Sequence, residues 1–422
     1  MPHDTQTLLF ELFVIFVAAK LGGELFERLK MPAVLGEILS GVVFGPFTLK
    51  WVVPSATVLS IAELGAIFLL FTVGLETRPK DLLKVGREAT GVALGGIALP
   101  FLFGFGYMEL SGHPAHESTF VAAAMVATSV GITARVLRDL DALKTLAAKI
   151  ILGAAVLDDI IGMILLAFVV GLASVGGVQW LQLTVLTFEA VAFCIFMLFV
   201  APRVMRRVSP NIGRLSTHNP QLILALTICL GLSVAAERIG LAAIVGAFFA
   251  GLTFSDFSPR WNLQPRVEAI NEFLAPFFFF TMGARLDLRV LTPQLVVSAL
   301  VICVLAIVAK IIGCGLPVLG KGYQTAMQVG VGMTPRGEVG LIVALIGLQM
   351  NMVSPSAYAI VIFMTAATTI FAPPVLRILF RDAVVDASMS PAAASASSLD
   401  RIGDMRTGLA ASAREAGEQE PS

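Results

Sequence analysis

Two adjacent carboxylates, Asp158 and Asp159, stand in the run Gly153-Ala154-Ala155-Val156-Leu157-Asp158-Asp159-Ile160-Ile161-Gly162, and a lone lysine, Lys310, stands in Val308-Ala309-Lys310-Ile311-Ile312. Each lies near the middle of an apolar stretch of the length, about 20 residues, that crosses a bilayer as a helix. A charge at the bilayer centre costs at least about 2.5 to 3.5 kcal/mol on insertion scales, so ionisable groups kept there usually have work to do. Neighbours on a helix point about 100° apart. The two aspartates therefore have different partners, and Lys310 is the counter-charge for one of them. A buried ion pair that only fixes helix packing is the bland alternative, but it leaves the second aspartate unpaired. An unpaired carboxylate in a semi-dry cavity keeps its protonated and ionised forms within reach of each other, and a bare cation nearby favours the ionised form. One group that takes either species but never both enforces exchange.

Other polar residues interrupt the apolar runs. Thr128-Ser129-Val130-Gly131-Ile132-Thr133 and Gly332-Met333-Thr334-Pro335-Arg336-Gly337-Glu338-Val339-Gly340 are helix-breaking stretches inside apolar segments. Freed backbone groups survive at membrane depth only where they line a cavity or are buried in protein. Close helix packing through small residues is the simpler reading for the first stretch. It is a poor one for Pro, Gly and two charges in the second. The hydroxyls of Thr128 and Ser129, with carbonyls freed at the break, would complete an oxygen shell for a hard cation, and a half-helix end would add attraction. Glu76, Arg336 and Glu338 are candidates for a pH-responsive ionic cluster, or equally for a static bridge stapling helix ends. Glu37 and Lys149 are left as interior polar or snorkelling residues without a role.

The elements that must position these residues follow from composition. Of 422 residues, 57% are hydrophobic and 14% charged, a balance that no soluble domain of this length carries. Thirteen apolar stretches are predicted as spans, near residues 7-27, 32-49, 58-76, 88-110, 117-137, 146-173, 178-202, 220-237, 239-256, 268-284, 293-317, 323-350 and 354-376. With that count, 21 of the 29 Lys and Arg fall on the side of the carboxyl terminus, 4 on the other and 4 within spans. Cytoplasmic loops collect basic residues, which places the carboxyl terminus in the cytoplasm and the amino terminus outside. Thirteen spans divide as six, a connector and six: a repeat over about 7-173, a connector helix over about 178-202, and an inverted second repeat over about 220-380. The fifth and twelfth spans, which hold the two breaks, then occupy matching positions. Residues 1-382 read as the membrane domain and 383-422 as a disordered cytoplasmic tail.

Cys194, Cys229, Cys303 and Cys314 lie in apolar runs without metal-ligand spacing, and His3, His113, His116 and His218 lie in loops or at an end. No cofactor, resident metal or nucleic-acid partner is expected. Neither a phosphate-binding loop nor a nucleophile–base arrangement is present, so the reading is of a carrier rather than an enzyme.

The paired Asp158-Asp159 after the Thr-Ser-Val-Gly-Ile-Thr break, Lys310, Thr334-Pro335-Arg336-Gly337-Glu338 and Leu35-Gly36-Glu37 together resemble the monovalent cation:proton antiporters, specifically sodium/proton antiporters of the NapA type, over roughly residues 7 to 380. The resemblance implies an all-α membrane fold of about thirteen helices with crossed broken helices. It also implies a homodimer with a dimerisation domain and a mobile core that works as an elevator. In that scheme Asp159 is the main site for Na⁺ or Li⁺ and for protons, Asp158 pairs with Lys310, and Thr128 and Ser129 lie at the crossover. The Kef-like potassium/proton exchangers of the same superfamily usually replace the first aspartate with glutamine and carry a nucleotide-binding domain. Asp158, Lys310 and the lack of such a domain favour the electrogenic sodium branch, in the plasma membrane, with potassium/proton exchange as the alternative. A cation channel is a weaker rival, separable by single-channel current without counter-transport. So is a sodium-coupled symporter, which would need a roomy substrate pocket. An intramembrane aspartyl protease would draw its two aspartates from facing helices, not from neighbours on one.

Overall fold

A computed structural model describes residues 5–173, 179–212, 219–287 and 293–381, and among these every regular element is a helix. In chain order they are α1 (Thr5–Arg28), α2 (Ala33–Phe44), α3 (Ala56–Glu76), the short α4 (Pro79–Lys84), α5 (Gly86–Leu110), α6 (Ala115–Val126), α7 (Val130–Asp139) and α8 (Leu146–Ala173). There follow α9 (Trp180–Ile195), continuous through a π-helical turn with α10 (Ala201–Ile212), then α11 (Pro220–Arg238), α12 (Ala243–Phe254), α13 (Ser258–Trp261) and α14 (Leu263–Ala284). The last are α15 (Pro293–Gly315), α16 (Tyr323–Gly332), α17 (Glu338–Gln349) and α18 (Pro355–Leu379). The tail from 383 and the first residue of the connector, 178, lie outside the described residues.

Among the described residues, eight helical stretches are long and apolar enough to cross a membrane, counting α6 and α7 as one and α9 with its continuation as one. α2, α12 and α17 are apolar but shorter. The ends follow local chemistry. Ser55 and Ser354 cap α3 and α18 by accepting hydrogen bonds from the Val58 and Ala357 amides at 3.3 and 3.2 Å, which satisfies donors that the first turn leaves orphaned.

In lipid, helices associate through packing rather than through hydrophobic segregation, so small residues set the closest approaches. α2 and α14 meet at Gly41 and Gly283, where a methyl group on either would run into the carbonyl of Phe280 or Ile38 on the other helix. α3 and α12 meet in the same way at Gly74 and Gly251, against the carbonyls of Phe248 and Phe71. α5 and α15 meet at Gly95 and Gly313. Gly251→Ala should therefore force α3 and α12 apart at a cost of about 1 to 3 kcal/mol. The check is a thermal melt of purified protein in detergent; an unchanged midpoint would mean that the two backbones are not in contact.

Both polar stretches break their helices. Residues 127–129 are extended between α6 and α7, and residues 334–337 between α16 and α17. The breaks touch. The Ser129 amide donates to the Pro335 carbonyl at 2.8 Å, and the Thr133 hydroxyl donates to the Gly332 carbonyl at 2.6 Å. Gly337 leaves so little room that an added Cβ would lie 2.8 Å from that of Ser129. Backbone groups freed by one interruption are thus partly satisfied by the other, as buried backbone requires.

Candidate functional site

α8 carries Asp158 and Asp159 side by side, and the two meet different neighbours: Lys310 of α15 for the first, and for the second a cleft lined by Val130 just past the first break. Asp158 is 3% exposed and its Oδ1 lies 3.5 Å from Nζ of Lys310, which is fully buried on α15. That separation is an ion-pair contact that falls outside hydrogen-bond geometry, since both atoms lack a hydrogen-bond partner. Gly96 on α5 forms the back of this pocket, because a Cβ there would lie 3.2 Å from the Lys310 ammonium.

Arg336 is the largest fully buried side chain among the described residues. Its guanidinium donates to the carbonyls of Met333 and Thr334 in its own break at 3.4 and 3.2 Å, and to that of Ala306 at 3.4 Å. Ala306 precedes Lys310 by one turn on α15, so the two cations share a face of that helix. The Arg336 carbonyl in turn accepts the Thr369 hydroxyl of α18 at 2.7 Å.

Asp159 is different. It is half-buried and has no hydrogen bond or ion pair to any described residue. It faces a narrow cleft whose other walls are apolar: Leu70 of α3, Val130 of α7, Leu152, Ala155 and Val156 of α8, and Ile244, Val245 and Phe248 of α12. Thr128, two residues before Val130, has a buried hydroxyl that also lacks a partner. These are unassigned oxygen donors beside the break. Ser129 is committed through its amide to Pro335, with its side chain against Gly337. Among the described residues no group of three or more His, Cys, Asp or Glu is arranged to hold a resident metal.

The third expected grouping is not assembled. Glu76 accepts from Gln264 at 3.0 Å and lies among Arg138, Glu268, Asp141 and Lys144, while Arg336 is held by carbonyls in the break. The reason is distance along α7. The Ser129 end of this helix is tied to Pro335 and the Arg138 end is near Glu76, and its ten residues span about 15 Å. The Glu338 side chain lies outside the described residues. Lys149, at the start of α8, pairs with Asp81 of α4 at 3.0 Å, and this hydrogen bond holds the Asp81 carboxyl below the usual carboxylate range.

Residues 13–382 match the family described as sodium/hydrogen exchanger, transmembrane. The chain belongs to this family of monovalent cation:proton antiporters. It is 35% identical to the high-affinity Na⁺/H⁺ antiporter NhaS3 of Synechocystis sp., over 90% of this chain and 92% of that one. It is 33% identical to the Na⁺/H⁺-K⁺ antiporter GerN of Bacillus cereus, over 88% and 96% of the two chains, and 31% identical to a Na⁺/H⁺ antiporter of Enterococcus hirae, over 87% and 96%. Its fold matches that of the sodium proton antiporter MjNhaP1 of Methanocaldococcus jannaschii with a TM-score of 0.63 at 17% identity, covering 90% of this chain and 97% of that structure.

Two features of this exchanger-family site were missed in the sequence. Gly96 reads as one of 38 glycines until α5 is seen packed on Lys310. Arg336 reads as half of an ion pair because its true acceptors are backbone carbonyls, which carry no residue signature. The carbonyl that bridges the breaks belongs to Pro335, a residue that cannot donate, and this is the one local hint.

Proposed function

We propose that the chain is a secondary Na⁺(Li⁺)/H⁺ antiporter in which Asp159 binds a proton or the cation in turn. The observation that carries this reading is a membrane carboxylate without a partner among the described residues, in a cleft that Val130 also lines two residues past the unpartnered Thr128 hydroxyl, while its neighbour Asp158 already has Lys310. The cation takes the place of the partner that both oxygens lack, with extended backbone at 127–129 supplying further oxygens. Exchange is electrogenic, with two protons per cation: Lys310 gives up the second proton when Asp158 turns toward the ion.

Elevator movement is supported by where the cleft lies. α3 and α12 form one wall and the broken helix α7 with α8 forms the other, so sliding one wall on the other would carry Asp159 between the two faces of the membrane. Thirteen crossings in two inverted repeats are supported by reciprocity of packing. The glycine contact of α2 with α14 (second and tenth spans) recurs as that of α3 with α12 (third and ninth), the same two positions exchanged between halves. The reading includes a homodimer in the plasma membrane with the amino terminus outside and the carboxyl terminus in the cytoplasm.

Potassium/proton exchange is the second reading, favoured by the similarity to GerN, whose name carries both ions. Purified protein in liposomes with a trapped pH dye separates them. Na⁺ and Li⁺ should each collapse a pH gradient at concentrations where K⁺ does not, and the rate should respond to a valinomycin-set voltage. Equal rates with K⁺ would reject the sodium assignment.

A further inference from the structure

The Leu35-Gly36-Glu37 segment plays no part in the exchange site, yet Glu37 is a carboxylate only 2% exposed, one turn into α2, with a buried Oε2 that has no hydrogen-bond partner. α1 lies hard against it: a Cβ on Gly23 would be 3.7 Å from the Glu37 Cγ. The charged groups within electrostatic reach of it come from two helices, Lys20 and Glu27 from α1 and Arg135 and Asp139 from α7. α14 and α18 also pack on α2, α14 at Ile38 and Gly41, and they bring Arg285, Thr365 and Thr369 to a separate cavity lined by Ile38 and not by Glu37.

A buried carboxylate without a partner is costly, and the cation that would relieve the cost is held elsewhere. Arg135 donates to Asp139, one turn along its own helix, at 3.0 Å. Asp139 in turn lies 4.0 Å from Arg138, which reaches across to Glu268 of α14 at 3.2 Å. Arg135 is therefore bonded to one carboxylate, on its own helix, and within electrostatic reach of a second, Glu37 on α2. α7 begins at Val130, in the wall of the Asp159 cleft, so its position sets the shape of that cleft. A displacement of α7 against α2 would change which of the two acids Arg135 meets.

We propose that Glu37 is a positioning residue for the exchange: ionised, it draws Arg135 away from Asp139 and latches α7 to α2; protonated, it releases α7. The proposal rests on the sliding of α7 and α8 against their neighbours described above, but it makes its own demand. The latch adds a proton-dependent step separate from the one at Asp159. Removing either partner changes when the step occurs and leaves the exchange chemistry in place.

The test uses the full chain in proteoliposomes, with Na⁺-driven proton exchange recorded against pH on the face that carries Arg135. Glu37→Gln and Arg135→Gln should each shift the pH of half-maximal rate in the same direction by about one unit, the size of effect a single nearby charge supports. The double variant should shift it no further than either alone. A Glu37→Gln profile that superimposes on the unaltered protein overturns the latch, and so do shifts in the double variant that add. Should Glu37→Gln not fold, Arg135→Gln, on a side chain 11% exposed, decides the matter by itself: a shifted profile sustains the latch and an unshifted one removes it. The exchange reading fails separately, through retained exchange in Asp159→Asn, so the two failures are distinguishable.

Discussion

Asp159→Asn should leave a folded protein that no longer exchanges Na⁺ for protons. The amide keeps the shape of the side chain but neither ionises nor supplies the charge that compensates a desolvated cation. Removing one partner of a buried charge pair costs about 3 to 5 kcal/mol, and each 1.4 kcal/mol is a factor of ten. A loss of at least 100-fold in Na⁺-driven pH change is therefore expected in proteoliposomes. Stability should not fall, because Asp159 has no partner among the described residues to lose. A thermal melt at or above that of the unaltered protein would distinguish a lost site from a lost fold.

Lys310→Gln should behave in the opposite way, with a large effect on both stability and voltage dependence. Its ammonium is fully buried 3.5 Å from Asp158, so its removal leaves that carboxylate without its counter-charge, at a cost of several kcal/mol. A variant that has also lost Asp158, Lys310→Gln with Asp158→Asn, should recover much of the stability, because taking out both partners leaves no bare charge. Neither variant can shuttle the second proton, so the exchange that remains should lose its response to membrane voltage. The measurement is a valinomycin titration of the rate. An unchanged voltage response in Lys310→Gln would remove the lysine from the coupling scheme while leaving Asp159 in place.

The interior chemistry was legible because membrane depth restricts what can be there. Apolar runs of helix length place α3, α5, α8, α11, α15 and α18 with little ambiguity, and the charges inside α8 and α15 stand out against them. Thr128-Ser129 and Pro335-Gly337 announced breaks, since neither stretch sustains a helix ladder. What could not be read was pairing across breaks. Arg336 bonds carbonyls that any sequence would offer, and Glu76 meets Gln264 and comes near Arg138 because the ends of α3 and α7 and the start of α14 lie at one level. These partners are 62 and 188 residues from Glu76 along the chain, so only the packing of the helices brings them together. Glu37 was visible as a charge in an apolar run, but not as one that α7 faces with Arg135.

Competition at a single carboxylate is the claim on which the exchange mechanism rests. Equilibrium Na⁺ binding to the purified protein, measured at several pH values with proton release followed in the same cell, addresses it without transport. The account predicts that half-saturating Na⁺ rises about tenfold for each unit of acidification when one displaced proton is counted, and that each Na⁺ bound expels protons. A half-saturating concentration that stays constant across pH, with no protons released, would contradict it.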